Sequence, residues 1–65
     1  MHILLNGETT ITTAETLSQL VIELSLEKRM IAIERNLEVV PKSQYDNTRL
    51  CENDRIELVH MIGGG

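Results

Sequence analysis

Few residues in this 65-residue chain are equipped for chemistry, and the most suggestive lie together at its end. Met61-Ile62 runs straight into Gly63-Gly64-Gly65, three glycines directly after a strand-like segment. A stretch without side chains can thread a narrow channel and present a carboxylate at Gly65 to a reaction on another protein. Three extended residues reach roughly 10 Å beyond a folded body. Glycines at a chain end also fray, but a linker normally leads somewhere, whereas here a free carboxylate is expected. Gly65 is therefore the expected reacting residue, and Gly63 and Gly64 are expected to permit entry into a buried pocket. Residues 63–65 are expected to form a flexible tail on a single domain spanning 1–62, because ordering glycines costs much conformational entropy.

The other reactive side chains read as structural. Cys51 sits in a polar turn and has no second cysteine with which to form an internal disulfide. His2 and His60 could meet if the first and last strands are neighbours, but two histidines without a third ligand make no zinc site. Asp46 and Asp54 fall in segments where aspartate usually serves a turn or a cap. Ser18, Ser25 and Ser43 lack a histidine-containing constellation to activate them. Glu15, Glu23 and Glu27 read as a solvated helix face. An independent enzyme is not expected, and no intrinsic cofactor or metal is either.

These residues need a scaffold, and the composition limits it to one domain. The chain is 42% apolar and almost wholly aliphatic, with no Phe or Trp and Tyr45 as its sole aromatic. Leu, Ile and Val must then supply the core. The net charge is −4, and all six Lys and Arg residues lie between Lys28 and Arg55. With no basic stripe and no stacking platform, nucleic-acid binding is not expected. The acidic first half suits docking to a basic protein surface, and a solvated face explains it equally well. No signal-peptide pattern or bilayer-length apolar run is visible, so a cytoplasmic chain, a monomer when free and not a membrane protein, is expected.

Local patterns place the elements. Met1, Ile3 and Leu5 alternate on one side of a first strand, and Asn6-Gly7 signals a tight hairpin. Glu8 to Thr13 should return as a strand with Ile11 inward. Thr16 and Gln19 have the form of a capping box, each serving the other's backbone N–H. Leu17, Leu20, Val21 and Leu24 then mark the apolar face of a helix running to about Leu26, with Lys28 and Arg29 near its C-terminal end. Met30 to Glu34 is a third strand, apolar enough for a central place. Arg35-Asn36 turns the chain into a short strand from Leu37 to Val40, which Pro41 marks as an edge or ends. Ser43 to Leu50 should be turn-like and anchored by Tyr45 and Leu50. After a turn at Glu52-Asn53-Asp54, the last strand from Arg55 directs Ile56 and Leu58 inward. Val59 and Met61 then point outward beside the tail, and His60 and Ile62 extend the same region. Val59, His60, Met61 and Ile62 are therefore the expected partner-docking residues.

One helix across a mixed sheet of four to five strands, with the first and last strands parallel at its centre, is an α+β arrangement of the β-grasp, ubiquitin-like kind. The chain resembles the ThiS-type sulfur carriers of thiamine biosynthesis, within the wider family that holds the molybdopterin sulfur carrier and ubiquitin. The resemblance covers essentially the whole length. It rests on Asn6-Gly7, Thr16-Leu17, Ile31-Ala32-Ile33-Glu34-Arg35-Asn36, Val39-Val40-Pro41-Lys42-Ser43 and Asp54-Arg55-Ile56-Glu57-Leu58-Val59-His60 leading into the glycines. Two positions depart from the family pattern: Asn53 stands where Gly is frequent, and Leu37 where a small or polar residue is usual.

The resemblance implies a protein co-substrate. An E1-like adenylyltransferase would use ATP and Mg to adenylate the Gly65 carboxylate, and a persulfide sulfur donor would convert it to a thiocarboxylate. The sulfur would then pass to thiazole synthase. A molybdopterin-type carrier, or a ubiquitin-like protein modifier or interaction module, would use the same tail and stays open at this point.

Overall fold

Two-residue turns set both hairpins. The computed structural model describes residues 1–61. In it, Asn6 and Gly7 both take positive φ, 48° and 84°, as a type I′ turn requires. They join β1 (His2–Leu5) to β2 (Glu8–Ile11) with Leu5 opposite Glu8. Asn36 and Leu37, at φ 52° and 72°, do the same between β3 (Ile31–Arg35) and β4 (Glu38–Val40), with Arg35 opposite Glu38. The last strand, β5 (Arg55–His60), runs parallel to β1 and antiparallel to β3. The five strands lie in the order β2-β1-β5-β3-β4. The expected mixed β-grasp sheet is therefore present with five strands. β5 lies at its centre beside β1, and β3 takes an interior place between β5 and β4, as expected.

The helix α1 (Leu17–Glu23) is shorter than its apolar pattern suggests. Ser25 adopts φ 59°, and the N–H groups of Ser25 and Leu26 donate to the carbonyls of Ile22 and Val21, both at 2.9 Å. This is a Schellman stop, and it leaves Lys28 and Arg29 outside the last helical turn. At the other end, the Thr16 hydroxyl accepts from Gln19 N at 3.2 Å, as expected. The Gln19 side chain, though, accepts from Glu15 N at 2.7 Å rather than from Thr16 N, so the box closes one residue earlier. Leu17 N donates to Thr48 O and Leu50 N to Glu15 O, strapping the helix start to the segment that leads into β5.

Ile3, Leu17, Leu20, Ile33 and Ile56 are the largest fully buried side chains and join helix to sheet. Each contributes about 1.5–3 kcal/mol. A 3-10 helix, Lys42–Asn47, closes the open side with Tyr45 buried, and Leu50 is buried just after it, as anticipated. The Ser18 hydroxyl donates to Asp46 and ties this segment to α1. Ile11 contradicts its expected inward orientation and is 73% exposed. The turn explains this. With Leu5 opposite Glu8, buried Ile3 pairs with Thr10, so the even-numbered positions of β2 face the helix and Ile11 shares the outer face with His2. Thr12 is the buried residue of that segment, its hydroxyl accepting from Ala14 N and donating to Glu23.

A second polar cluster governs β5. Asp54 is buried, and its carboxylate accepts from Cys51 N (2.8 Å), Arg35 Nε (2.8 Å) and Asn36 Nδ2 (3.0 Å). Burial by itself pushes this carboxyl up. The Cys51 N–H, the Asn36 amide and the Arg35 guanidinium outweigh burial and hold it below the ordinary Asp value of 3.8.

Two predictions follow from these strained and buried positions. Leu37 is 68% exposed and left-handed, so Leu37→Gly relieves backbone strain without losing packing. It should stabilise by about 1 kcal/mol and raise Tm by about 4–8 °C in a thermal melt. Asp54→Asn removes a charged acceptor from three donors and should cost about 1.5–3 kcal/mol at pH 7 by urea unfolding. Because the folded-state pKa is depressed, the stabilisation is present above pH 3.8 and is lost as pH falls through the folded value. The stability gap between wild type and variant should therefore shrink on acidification.

Candidate functional site

The candidate site is the end of β5, the strand that precedes the three glycines in the sequence. Its backbone is held on both sides. Toward β3, Ile31, Ala32, Ile33, Glu34 and Arg35 pair in register with His60, Val59, Leu58, Glu57 and Ile56. Met61 N then donates to Met30 O at 2.8 Å, prolonging the ladder by one bond beyond the strand. On the other side, β1 pairs with β5 only at Leu4–Arg55 and Leu5–Ile56. Asn6 takes over where β1 turns away. Its N–H donates to Ile56 O, its Nδ2 donates to Leu58 O at 3.2 Å, and its Oδ1 accepts from Leu58 N at 2.7 Å. A side-chain amide thus stands in for the next peptide of the missing strand. Asn6 serves the hairpin turn and the site at once.

Asn36 acts similarly at the start of β5. Its N–H donates to Arg55 O at 2.8 Å, and its Oδ1 accepts from Arg55 N at 2.9 Å. Asn53 takes φ 68°, so the turn into β5 forms without glycine, as its left-handed tolerance suggests. Between these braces the strand reaches Met61 with little freedom of direction.

Ile56 and Leu58 are buried, as read from the alternation, and Val59 is 58% exposed on the outer sheet face. His60 pairs with Ile31 and is exposed. Met61 is also exposed, but it lines a groove of about 560 Å³ with Val21, Ile22, Leu26 and Met30 on the helix side. Val59 and Met61 are thus both exposed at the end of the strand, and Met61 also borders that groove. Ile62, Gly63, Gly64 and Gly65 lie outside the described residues.

Val59 has other company. Across the outer face, Ala32 lies opposite Val59, and Val39 lies opposite Glu34. Val39 is 70% exposed. The residue-by-residue reading missed Ala32 and Val39 as members of this surface. The Arg35–Glu38 register, set by the two-residue turn, was the available signal for Val39.

The remaining reactive groups hold structural places. His2 Nδ1 lies 3.1 Å from Glu52 Oε2, at the opposite end of β5 from His60. No group of three His, Cys, Asp or Glu residues that could hold a metal occurs among the described residues. Cys51 is exposed, and its sulfur lies 3.6 Å from Arg35 Nη2, a cation neighbour that the sequence did not suggest. No helix among the described residues is long and apolar enough to cross a membrane.

Known proteins share this arrangement. The profile of the ThiS family matches residues 3–65. The sulfur carrier protein ThiS of Bacillus subtilis (strain 168) is 40% identical over 50 residues, which cover 77% of this chain and 76% of that protein. A thiazole synthase of Paramagnetospirillum magneticum is 41% identical over 66 residues; the match takes in the whole chain, which spans 20% of that protein's length. The crystal structure of the thiamine biosynthesis protein ThiS from Geobacter metallireducens superposes with a TM-score of 0.82 at 28% identity, covering all of both chains. With matched residues running from β1 through the glycines, on a five-stranded β-grasp sheet that brings β5 to the tail, the chain belongs to the ThiS family.

Proposed function

We propose that this protein is a sulfur carrier for the thiazole moiety of thiamine, with Gly65 as the residue that bears the sulfur. The observation that carries the reading is the family match through residue 65, together with a last strand braced on both sides as far as Leu58 and on the β3 side as far as Met61. The Bacillus relative is a sulfur carrier protein, and the Paramagnetospirillum relative is a thiazole synthase that contains a counterpart of this chain. Both favour the thiazole pathway over a molybdopterin-type carrier or a protein modifier.

A carboxylate resists nucleophiles because its oxygen is a poor leaving group. Attack of a Gly65 carboxylate oxygen on the α-phosphorus of ATP, on an E1-like adenylyltransferase with Mg, expels pyrophosphate and makes an acyl-adenylate. The terminal sulfur of a donor persulfide then attacks the acyl carbon and releases AMP. A thiol cleaves the resulting acyl disulfide, leaving a thiocarboxylate on Gly65 and a disulfide on the donor. Thiazole synthase receives that sulfur. All the catalysis resides in the partners. This chain supplies the acyl group, its reach and the surface that docks it, where Val59, His60, Met61 and Ile62 flank the tail. A β-carbon at Gly64 would widen the tail within a channel shaped for backbone alone.

Intact-mass measurement after incubation with ATP, an adenylyltransferase and a persulfide source should show one oxygen replaced by sulfur. The change should be absent when Gly65 is deleted and slowed about tenfold or more in Gly64→Ala. An unchanged mass, with an adenylyltransferase active on another carrier, would refute the assignment. A conjugate to a lysine would replace it with a modifier role.

A further inference from the structure

The sheet narrows toward the end of β5. β1 pairs with β5 at Leu4–Arg55 and Leu5–Ile56 and then turns away at Asn6 and Gly7. On the far side, β4 accompanies β3 only along Ile33, Glu34 and Arg35. Ile31 and Ala32 are therefore left to pair with His60 and Val59 as a two-stranded ribbon. Such ribbons twist more than the body of a sheet, so their ends point less definitely.

Asn6 meets the strand where that ribbon begins. Both groups of its side-chain amide go to Leu58: Oδ1 accepts from Leu58 N at 2.7 Å, and Nδ2 donates to Leu58 O at 3.2 Å. Leu58 is buried, and its backbone groups require partners. One more residue of β1 would have supplied them. A longer β1 would also have carried its hairpin alongside Val59 and His60, which are exposed. The side chain instead holds Leu58 and leaves the following residues uncovered for whatever receives the tail.

The brace has a mechanical consequence. From Leu58 to Met61 an extended chain spans about 10 Å, so a swing of about 10° at Leu58 moves Met61 by about 2 Å. A misplacement of about 1 Å at a reacting group can cost on the order of 10²-fold in rate. We propose that Asn6 is a positioning residue for acyl transfer: through Leu58 it fixes the direction in which β5 hands the glycines to the adenylyltransferase. This role rests on the sulfur-carrier reading above.

The test is ATP–pyrophosphate exchange by the adenylyltransferase, with the carrier as varied substrate and each variant assayed below its melting temperature. Asn6→Gly keeps the left-handed turn, since Gly-Gly suits it, and removes the amide. It should lower kcat about tenfold or more while KM stays within about twofold of wild type. Amide hydrogen exchange at Leu58 should rise in the same variant. Asn6→Asp keeps an acceptor for Leu58 N and loses the donor to Leu58 O. It should show a smaller kcat loss in the same direction, and it serves if glycine unfolds the hairpin. Thr16→Ala removes the cap of α1, a destabilisation away from β5, and should leave kcat near the wild-type value.

An unchanged kcat in both Asn6 variants, with Leu58 exchange raised, would overturn the positioning role and leave the carrier reading intact. Equal kcat losses in Asn6→Gly and Thr16→Ala would overturn it in favour of general stability. A rise in KM alone would overturn it in favour of a direct docking contact. Failure of the wild type to support exchange would remove the carrier reading and this inference with it.

Discussion

A buried carboxylate at the start of the last strand is the interaction on which the rest depends. Asp54 gathers a backbone N–H from its own turn, the Asn36 amide of the β3–β4 turn and the Arg35 guanidinium at the end of β3. Two pieces of chain that must meet for β5 to pair with β3, the turn before β5 and the end of β3 with its following turn, are thereby held to one group. A charged acceptor is the economical solution, because two oxygens satisfy three donors and the ionised form is favoured by all of them. Beyond this knot, the side chain of Asn6 extends the pairing on the β1 side of β5 where β1 itself has ended. The strand leading to the tail is consequently central, braced on both sides and fixed in register.

This arrangement divides the labour between the ends of β5. Its start is polar, buried and tied to turns. Its end is exposed and tied only by backbone, through Met61 to Met30. A carrier whose partners do the chemistry needs this asymmetry: rigidity where the strand is anchored, and accessible surface where the tail is handed over. Near that end lie the outer sheet face beside Val59 and a groove that Met61 borders, formed largely by side chains of α1, the loop after it and the 3-10 segment.

Much of this was legible in the residues because the signals were local. The two-residue turn at Asn6-Gly7, the helix face of Leu17, Leu20 and Val21, the edge position ahead of Pro41, the anchors Tyr45 and Leu50, and the inward pair Ile56 and Leu58 each follow from short-range chemistry. Strand composition alone does not place Ile11; register counted through the turn puts Thr10 and Thr12 on the helix side. Apolar periodicity runs past the end of the helix because nothing in the sequence marks Ser25 for a left-handed conformation that glycine usually takes. The Asp54 knot and the substitution of Asn6 for a strand depend on which strands become neighbours. Contacts 18 to 52 residues apart leave no local trace.

The central claim is that this chain delivers sulfur from Gly65 to a forming thiazole. The most direct measurement supplies the chain with an isotopically labelled thiocarboxylate at Gly65 and follows the label in the presence of thiazole synthase and its small-molecule substrates. A parallel reaction uses a molybdopterin-forming acceptor. The account predicts labelled sulfur in the thiazole ring and none in the molybdopterin product. Label that reaches the molybdopterin product, or that remains on the chain in both reactions, would contradict it.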